Sequence, residues 1–530
     1  MANIEVIVLL LLCITFLALF SNKYNFPFPI VLVLSGLAIS LFPGITPLTL
    51  APDVIFLIFL PPLLYSAAWN TNWHQFKANL RHITLASIGL VFFTTLCIGI
   101  LVHEMIPGFT YAQAFLLGAI ISPPDAVSAT SITKGLGLEP RVVTILEGES
   151  LINDASALIA FKYALGAATI GSFSLSAASV DFLKVFGGGI GIGLIIGYLM
   201  FLLHKHFIKE SNIDATLTFL TPFACYLLAE QFHFSGVLAV VTCGLYLAYR
   251  STEIFSHQSR IQVFAVWDVI SFILNGFVFV LMGLQLKIII QDFSKSTIIN
   301  LSLYGLVISI VAFLVRLFYT VPAVVLPRKL SKRISQEPFD IRNILVFTWA
   351  GMRGIVSMAA ALSIPAMIGQ EKFPNRSEII FLSFSVILFT LLVQGLSLPY
   401  LIKRLRLKKH SILAEEYEIR SKIIDHSKNY IDETFGYAND KLRSLLHDKY
   451  DIRNSLLQQT TLPIARKGKV SSSTAIFNEY AEWELQVLKI ERKKANELHK
   501  EGKVSEEVFR KIEREIDLEE ARLRLELFRE

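Results

Sequence analysis

Charge is scarce in this chain. Only 17% of its 530 residues are Asp, Glu, Lys or Arg, 53% are apolar, and the mean hydropathy is +0.56. That balance excludes a soluble globular protein of this size. Cysteine is scarcer still. Cys13, Cys97, Cys225 and Cys243 each sit inside an apolar run, and no pair has metal-ligand spacing, which argues against a zinc or redox site. No G-x-x-x-x-G-K-[ST] stretch is present, so ATP is not coupled through a P-loop. No nucleophile, metal or phosphate motif suggests an enzyme. Neither a cofactor nor a nucleic-acid partner is expected. The first apolar run, 4–20, contains Glu5, lacks a basic leader and is followed by no small-x-small cleavage site, so it reads as a true span.

What is present is unevenly placed. Residues 1–404 are a succession of apolar runs, and residues 405–530 are charged and mostly polar. A hydrocarbon core of about 30 Å takes roughly 20 helical residues. Thirteen candidate spans fit: 3–20, 27–42, 51–68, 83–103, 112–132, 139–168, 182–203, 213–231, 235–250, 261–289, 298–326, 342–368 and 377–402. The expected fold is therefore an all-α polytopic membrane domain, 1–404, with a helical C-terminal domain, 405–530. Basic residues mark alternate loops, among them Lys77, Arg81, Lys134, Arg141, Lys205, Lys209, Arg250, Arg260 and the group from Arg328 to Arg342. Arg404, Arg406, Lys408 and Lys409 follow the last span. By the positive-inside rule the tail is cytoplasmic, and an odd number of spans puts the N-terminus outside.

The polar residues that do enter the spans concentrate between 122 and 162. Asp125, Glu147, Glu149, Asn153, Asp154 and Lys162 lie there, behind the helix-breaking pair Pro123-Pro124. Ionisable groups at membrane depth are costly and mark ion sites by default. Counted from the span ends, Asp125 lies roughly 21 Å deep and Asp154 roughly 22 Å, both near mid-membrane. Glu149 and Asn153 are i,i+4 neighbours, as are Ser150 and Asp154. Arg316, in span eleven, has the depth of Glu149, and so does Arg353 in span twelve. Either arginine suits as its ion-pair partner. Arg353 lies in Gly351-Met352-Arg353-Gly354, which would permit a second helix break. Matching broken spans in two halves of a chain point to an inverted-repeat transporter whose site lies at their crossing. Asp125 would then offset a positive half-helix end, and Arg353 a negative one.

Other features carry plainer readings. Gly189-xxx-Gly193-xxx-Gly197 suits ordinary close helix packing. His103, His204 and His206 read as interfacial histidines. In the tail, Gly502 suits a helix stop and Ser505-Glu506-Glu507 a helix start, giving a helical hairpin. The stretch 460–474 reads as a linker.

At these motifs the chain resembles the monovalent cation/proton antiporter family that includes NhaP-type bacterial and animal-type sodium/proton exchangers. Gly148-Glu149-Ser150-Leu151-Ile152-Asn153-Asp154 is similar to its G-E-S-L-x-N-D signature. Pro124-Asp125-Ala126-Val127 resembles the T-D-P-V of its unwound helix. Leu60-Pro61-Pro62-Leu63-Leu64-Tyr65, Ser235-Gly236 with Gly244, Trp267-Asp268 with Leu274-Asn275-Gly276, and the Gly351–Gly354 motif add independent matches. The resemblance implies that Asp154 binds cation and proton in turn, that Ser150 is a cation ligand, and that Glu149 pairs with Arg316. Asn153, where electrogenic relatives carry a second aspartate, implies electroneutral exchange. It also implies a homodimer in the cell membrane. Three positions depart from the family: Pro124 replaces its threonine, Ala126 its proline, and Ser66 a glutamate of some members. The expected function is Na+ (or Li+) exchange for H+ by competition at Asp154. A K+/H+ antiporter of the same fold is the alternative within transport, and a non-transporting sensor that signals through its tail is the alternative outside it.

Overall fold

The computed structural model describes residues 2–24, 26–41, 57–133, 138–170, 175–291, 293–330, 341–368, 370–407, 412–435, 443–451 and 474–527. The chain is built of helices. Two-residue strands, Met367–Ile368 and Glu371–Lys372, pair antiparallel in one small hairpin. Apolar runs favour helices because a helix satisfies every interior backbone group within the segment. Helices lie where the apolar runs fall, with 51–56 and residues 460–473 of the expected linker outside the described residues, and Thr474 already in a helix.

Contacts divide the chain into two compact units. The first comprises residues 1–208, 213–254 and 265–409. Among the described residues of the chain, six helices are long and apolar enough to cross a membrane, and Phe28–Ser40 and Tyr111–Ile121 are shorter apolar helices. Some of the thirteen spans expected from sequence fall outside these six for a physical reason. Spans five and twelve are each split into two short helices, and Pro140–Ile170 carries too many ionisable residues to pass as plainly apolar. Large apolar side chains such as Phe16, Leu183 and Phe318 are exposed, as a surface solvated by lipid tails requires. Span 342–368 needs shortening. Its second helix ends at Leu362, because Pro365 cannot donate to a continuing helix and disfavours helical backbone at Ile364. Gly189 and Gly193 bring the Leu175–His206 helix against the backbone of Ser235 and Ala239, so this stripe packs a helix pair.

The second unit comprises 209–212, 255–264 and 410–530, so it takes in two short segments from outside the tail. Thr474–Lys500 and Glu506–Leu527 form a helical hairpin. Ile419, Ile423, Leu488, Val508, Phe509 and Ile516 make its core with the Ile412–Phe435 helix. Gly502 turns the hairpin in the left-handed region, at φ +69°, and Ser505 Oγ accepts from Val508 N at 3.5 Å. A Gly502→Ala variant is expected to lose about 1–2 kcal/mol, seen as a lower melting temperature of the purified chain. An unchanged melting temperature would show that the turn tolerates a side chain.

Arg260 is 2% exposed in this second unit and donates to Asp517 at 2.8 and 2.9 Å. Glu513 lies 3.2 Å from it, and Arg492 reaches Asp517 and Glu520, each at 2.7 Å. Charges this deeply placed are tolerated because each has an opposite partner.

Candidate ion site at two helix breaks

The helix Tyr111–Ile121 starts at a capping box on Thr110 and Gln113 and stops short of Pro123-Pro124. The chain resumes as Ala126–Thr133. Span twelve breaks likewise, between Ile341–Trp349 and Ile355–Leu362. The two breaks meet: Asp125 N donates to Met352 O at 2.6 Å. Glycine is what permits this approach. A Cβ on Gly354 would lie 2.2 Å from Asp125 Oδ2, and one on Gly351 would lie 2.7 Å from Arg316 Cδ. A Gly354→Ala substitution is therefore expected to displace Asp125 and cut exchange about tenfold or more, through overpacking. Vesicle flux per amount of protein in the membrane measures this. A variant with wild-type flux would show that the crossing can yield.

Backbone groups freed by the breaks need partners inside a membrane. Asp125 Oδ1 accepts from Val127 N at 2.9 Å and Oδ2 from Ser128 Oγ at 2.6 Å, so its carboxylate caps the positive start of Ala126–Thr133. Asn153 Nδ2 donates to Pro124 O at 3.3 Å. Arg353 Nε donates to Ile121 O at 2.9 Å, and its Nη1 donates to Gly351 O. The arginine thus neutralises the carbonyl ends of the two first half-helices.

Arg353 therefore serves backbone carbonyls, and Glu149 meets the other arginine. Arg316 Nη1 and Nη2 donate to Glu149 Oε1 and Oε2 at 2.6 and 2.7 Å, with both side chains 1% exposed. The guanidinium also lies 4.8 Å from the centre of the Phe347 ring. This pair joins the Pro140–Ile170 and Lys295–Leu330 helices one turn from Asn153 and Asp154.

Asp154 stands apart. It is 6% exposed, and among the described residues no side chain or backbone group hydrogen-bonds to it. Ser150 lies one helical turn away on the same face. Asn153 is fully buried and its Oδ1 has no partner among the described residues.

Several polar contacts escape a reading of the sequence. Lys162, exposed, pairs with Glu230 at 3.2 Å. Ser66 shares a hydrogen bond of 2.8 Å with Ser271, which lies 205 residues away. Of the three histidines read as interfacial, His204 needs correcting: it is buried and its Nδ1 lies 2.7 Å from Asp214 Oδ1. The helix end at His204 and the helix start at Asp214 flank a short loop, and that spacing was the available signal. Thr390, whose hydroxyl accepts from Arg353 N at 3.2 Å, had no signal beyond being one polar residue in an apolar run.

Comparison with known proteins follows the same lines. Residues 7–404 match the family described as sodium/hydrogen exchanger, transmembrane. An uncharacterized Na+/H+ exchanger of Mycobacterium tuberculosis is 32% identical over 98% of this chain and 96% of its own length. A sodium, potassium, lithium and rubidium/H+ antiporter of Bacillus subtilis is 33% identical over 75% of this chain and 61% of its own. Among solved structures, the sodium proton antiporter MjNhaP1 of Methanocaldococcus jannaschii matches with a TM-score of 0.62, over 77% of this chain and 99% of that one. At 22% identity this last likeness speaks for the fold, that of a multi-pass helical membrane protein.

Proposed function

The chain belongs to the sodium/hydrogen exchanger family, whose members are secondary transporters rather than enzymes, and on that premise we propose that it exchanges Na+ for H+ across the cell membrane. Li+ is a second substrate in this reading. The observation that carries it is Asp154, a buried carboxylate without a protein partner among the described residues, beside a crossing whose freed backbone groups are engaged. A charged carboxylate is not stable alone in such a place. One proton or one cation neutralises it, and the two exclude each other.

Each turnover then moves one cation against one proton. The neutral Asn153 supports this electroneutral count, because its side chain carries no second charge. Its Nδ2 steadies the Pro124 carbonyl, and its free Oδ1 is an oxygen available to the site. Ser150 supplies a hydroxyl one turn away. Asp125 adds negative charge while capping its half-helix. Rocking of one helical bundle against the other exposes the loaded site to either side. The basic loops put the tail in the cytoplasm and the N-terminus outside, and the working unit is a homodimer.

Everted vesicles holding a pH-sensitive dye test the proposal. Sodium salts are expected to dissipate a preformed proton gradient. Competition further requires that the sodium level for half-maximal exchange rise by up to about tenfold per unit fall in pH. No response to sodium, lithium or potassium would overturn transport and favour the sensor reading. A dominant potassium response would favour K+/H+ exchange, a reading supported by the potassium named among the substrates of the Bacillus relative.

A further inference from the structure

The helix breaks are held from a third helix that the site described so far does not use. Residues 376–405 run as the helices Arg376–Phe389 and Gly395–Leu405, joined by a π-helical turn at Thr390–Gln394. A single π turn within a helix is uncommon and concentrates at functional sites, because it re-aims side chains and frees backbone groups. Thr390 opens this turn and is 1% exposed. Its hydroxyl donates to Ile387 O at 3.1 Å and accepts from Arg353 N at 3.2 Å. Both directions of the hydroxyl are thus used, one to its own helix and one to the break.

Buried threonines elsewhere in the membrane unit, such as Thr133 and Thr348, donate back to their own helix four residues earlier. Thr390 makes such a back-bond too, and in addition serves a backbone N–H that has lost its helical acceptor. That N–H belongs to Arg353, whose side chain holds the Ile121 carbonyl at the other break. The neighbouring carbonyl, of Met352, receives Asp125 N. About two helical turns further along the same run, Ser397 Oγ accepts from Trp349 Nε1 at 2.9 Å, just ahead of the same break. The helix that carries Thr390 therefore grips span twelve in the break and immediately before it.

We propose that Thr390 is a positioning residue for the ion site: its hydroxyl fixes the unwound backbone at Arg353 and, through Met352 and Ile121, the placement of Asp125 at the crossing. This rests on the exchange reading above for its functional consequence. Loss of the acceptor loosens the crossing without removing any group that touches the ion.

The test compares Thr390→Val, which keeps the shape and removes the acceptor, with Thr390→Ser, which keeps the hydroxyl. In everted vesicles of the full chain, T390V is expected to raise the sodium level for half-maximal exchange about tenfold. T390S is expected to stay within about twofold of wild type. Equal impairment of both variants would overturn the proposal, since it would assign the effect to the lost methyl packing. So would an unchanged half-saturation in T390V. A second measurement is independent of transport. Hydrogen exchange of the peptide spanning 350–355 is expected to lose protection in T390V and keep it in T390S. If wild-type protein shows no cation-driven flux, the exchange reading fails, and unchanged protection in T390V overturns Thr390 separately.

Discussion

Asp154→Asn is expected to abolish cation-driven proton flux while the protein still reaches the membrane and folds. The amide has almost the same shape as the carboxyl, so packing around a position that is 6% exposed is preserved. What changes is chemistry. An amide takes up no proton near neutral pH and gives a cation no compensating charge. Both halves of the exchange cycle therefore fail together. Stability is expected to move the other way. Asp154 has no protein partner among the described residues, so folding bears the cost of burying it, and the neutral amide relieves part of that cost. The melting temperature in detergent should stay level or rise as flux disappears. Flux at more than about a tenth of wild type would remove Asp154 from its assigned role, given that a positioned proton carrier contributes about a hundredfold or more. A loss of flux accompanied by a fall in melting temperature would count against the role too, because it would make Asp154 a structural group.

Arg316→Ala is expected to give the largest loss of stability of any single substitution near the site. It leaves Glu149, 1% exposed, with no guanidinium beside it. Breaking one side of a buried ion pair costs about 3–5 kcal/mol, most of it from the abandoned charge. Removing both charges with apolar residues of similar volume, as in Glu149→Leu with Arg316→Met, is expected to recover most of that loss. Thermal unfolding of wild type, Glu149→Leu, Arg316→Met and the double variant measures the coupling. A double variant as unstable as Arg316→Ala alone would show that the arginine acts through packing, for instance on the Phe347 ring, and not through Glu149. Arg353 offers the contrast. Its bonds run to the carbonyls of Ile121 and Gly351, so substitution there is expected to impair the crossing without stranding a carboxylate.

Much of the fold was legible because membrane solvent imposes a simple rule. Apolar runs of sufficient length become helices, and the described helices lie where those runs are. Breaks were legible where the chain itself forbids a helix, at Pro123-Pro124, or weakens one, at Gly351 and Gly354. Less legible were elements whose ends depend on context. The second half of span twelve stops at Leu362, six residues before the apolar run does, because Pro365 intervenes. His204 looked interfacial because the short loop between it and Asp214 was a weak signal that the two meet.

Sequence alone determined which residue types fall within the apolar runs, and in what spacing along each helix. It put Ser150, Asn153 and Asp154 on adjoining faces of one helix and placed Asp125 at a break. It left two arginines of equal depth competing for Glu149, because depth is a single coordinate and both satisfy it. Tertiary structure decided between them by lateral position, bringing Arg316 onto Glu149 and turning Arg353 toward open carbonyls. It also decided that the glycines of span twelve serve close approach as well as unwinding, since Asp125 and Arg316 occupy the space their side chains would fill. Thr390 belongs wholly to this second class. Its partner lies 37 residues away in the break of another span, and periodicity along one chain carries no information about which spans meet.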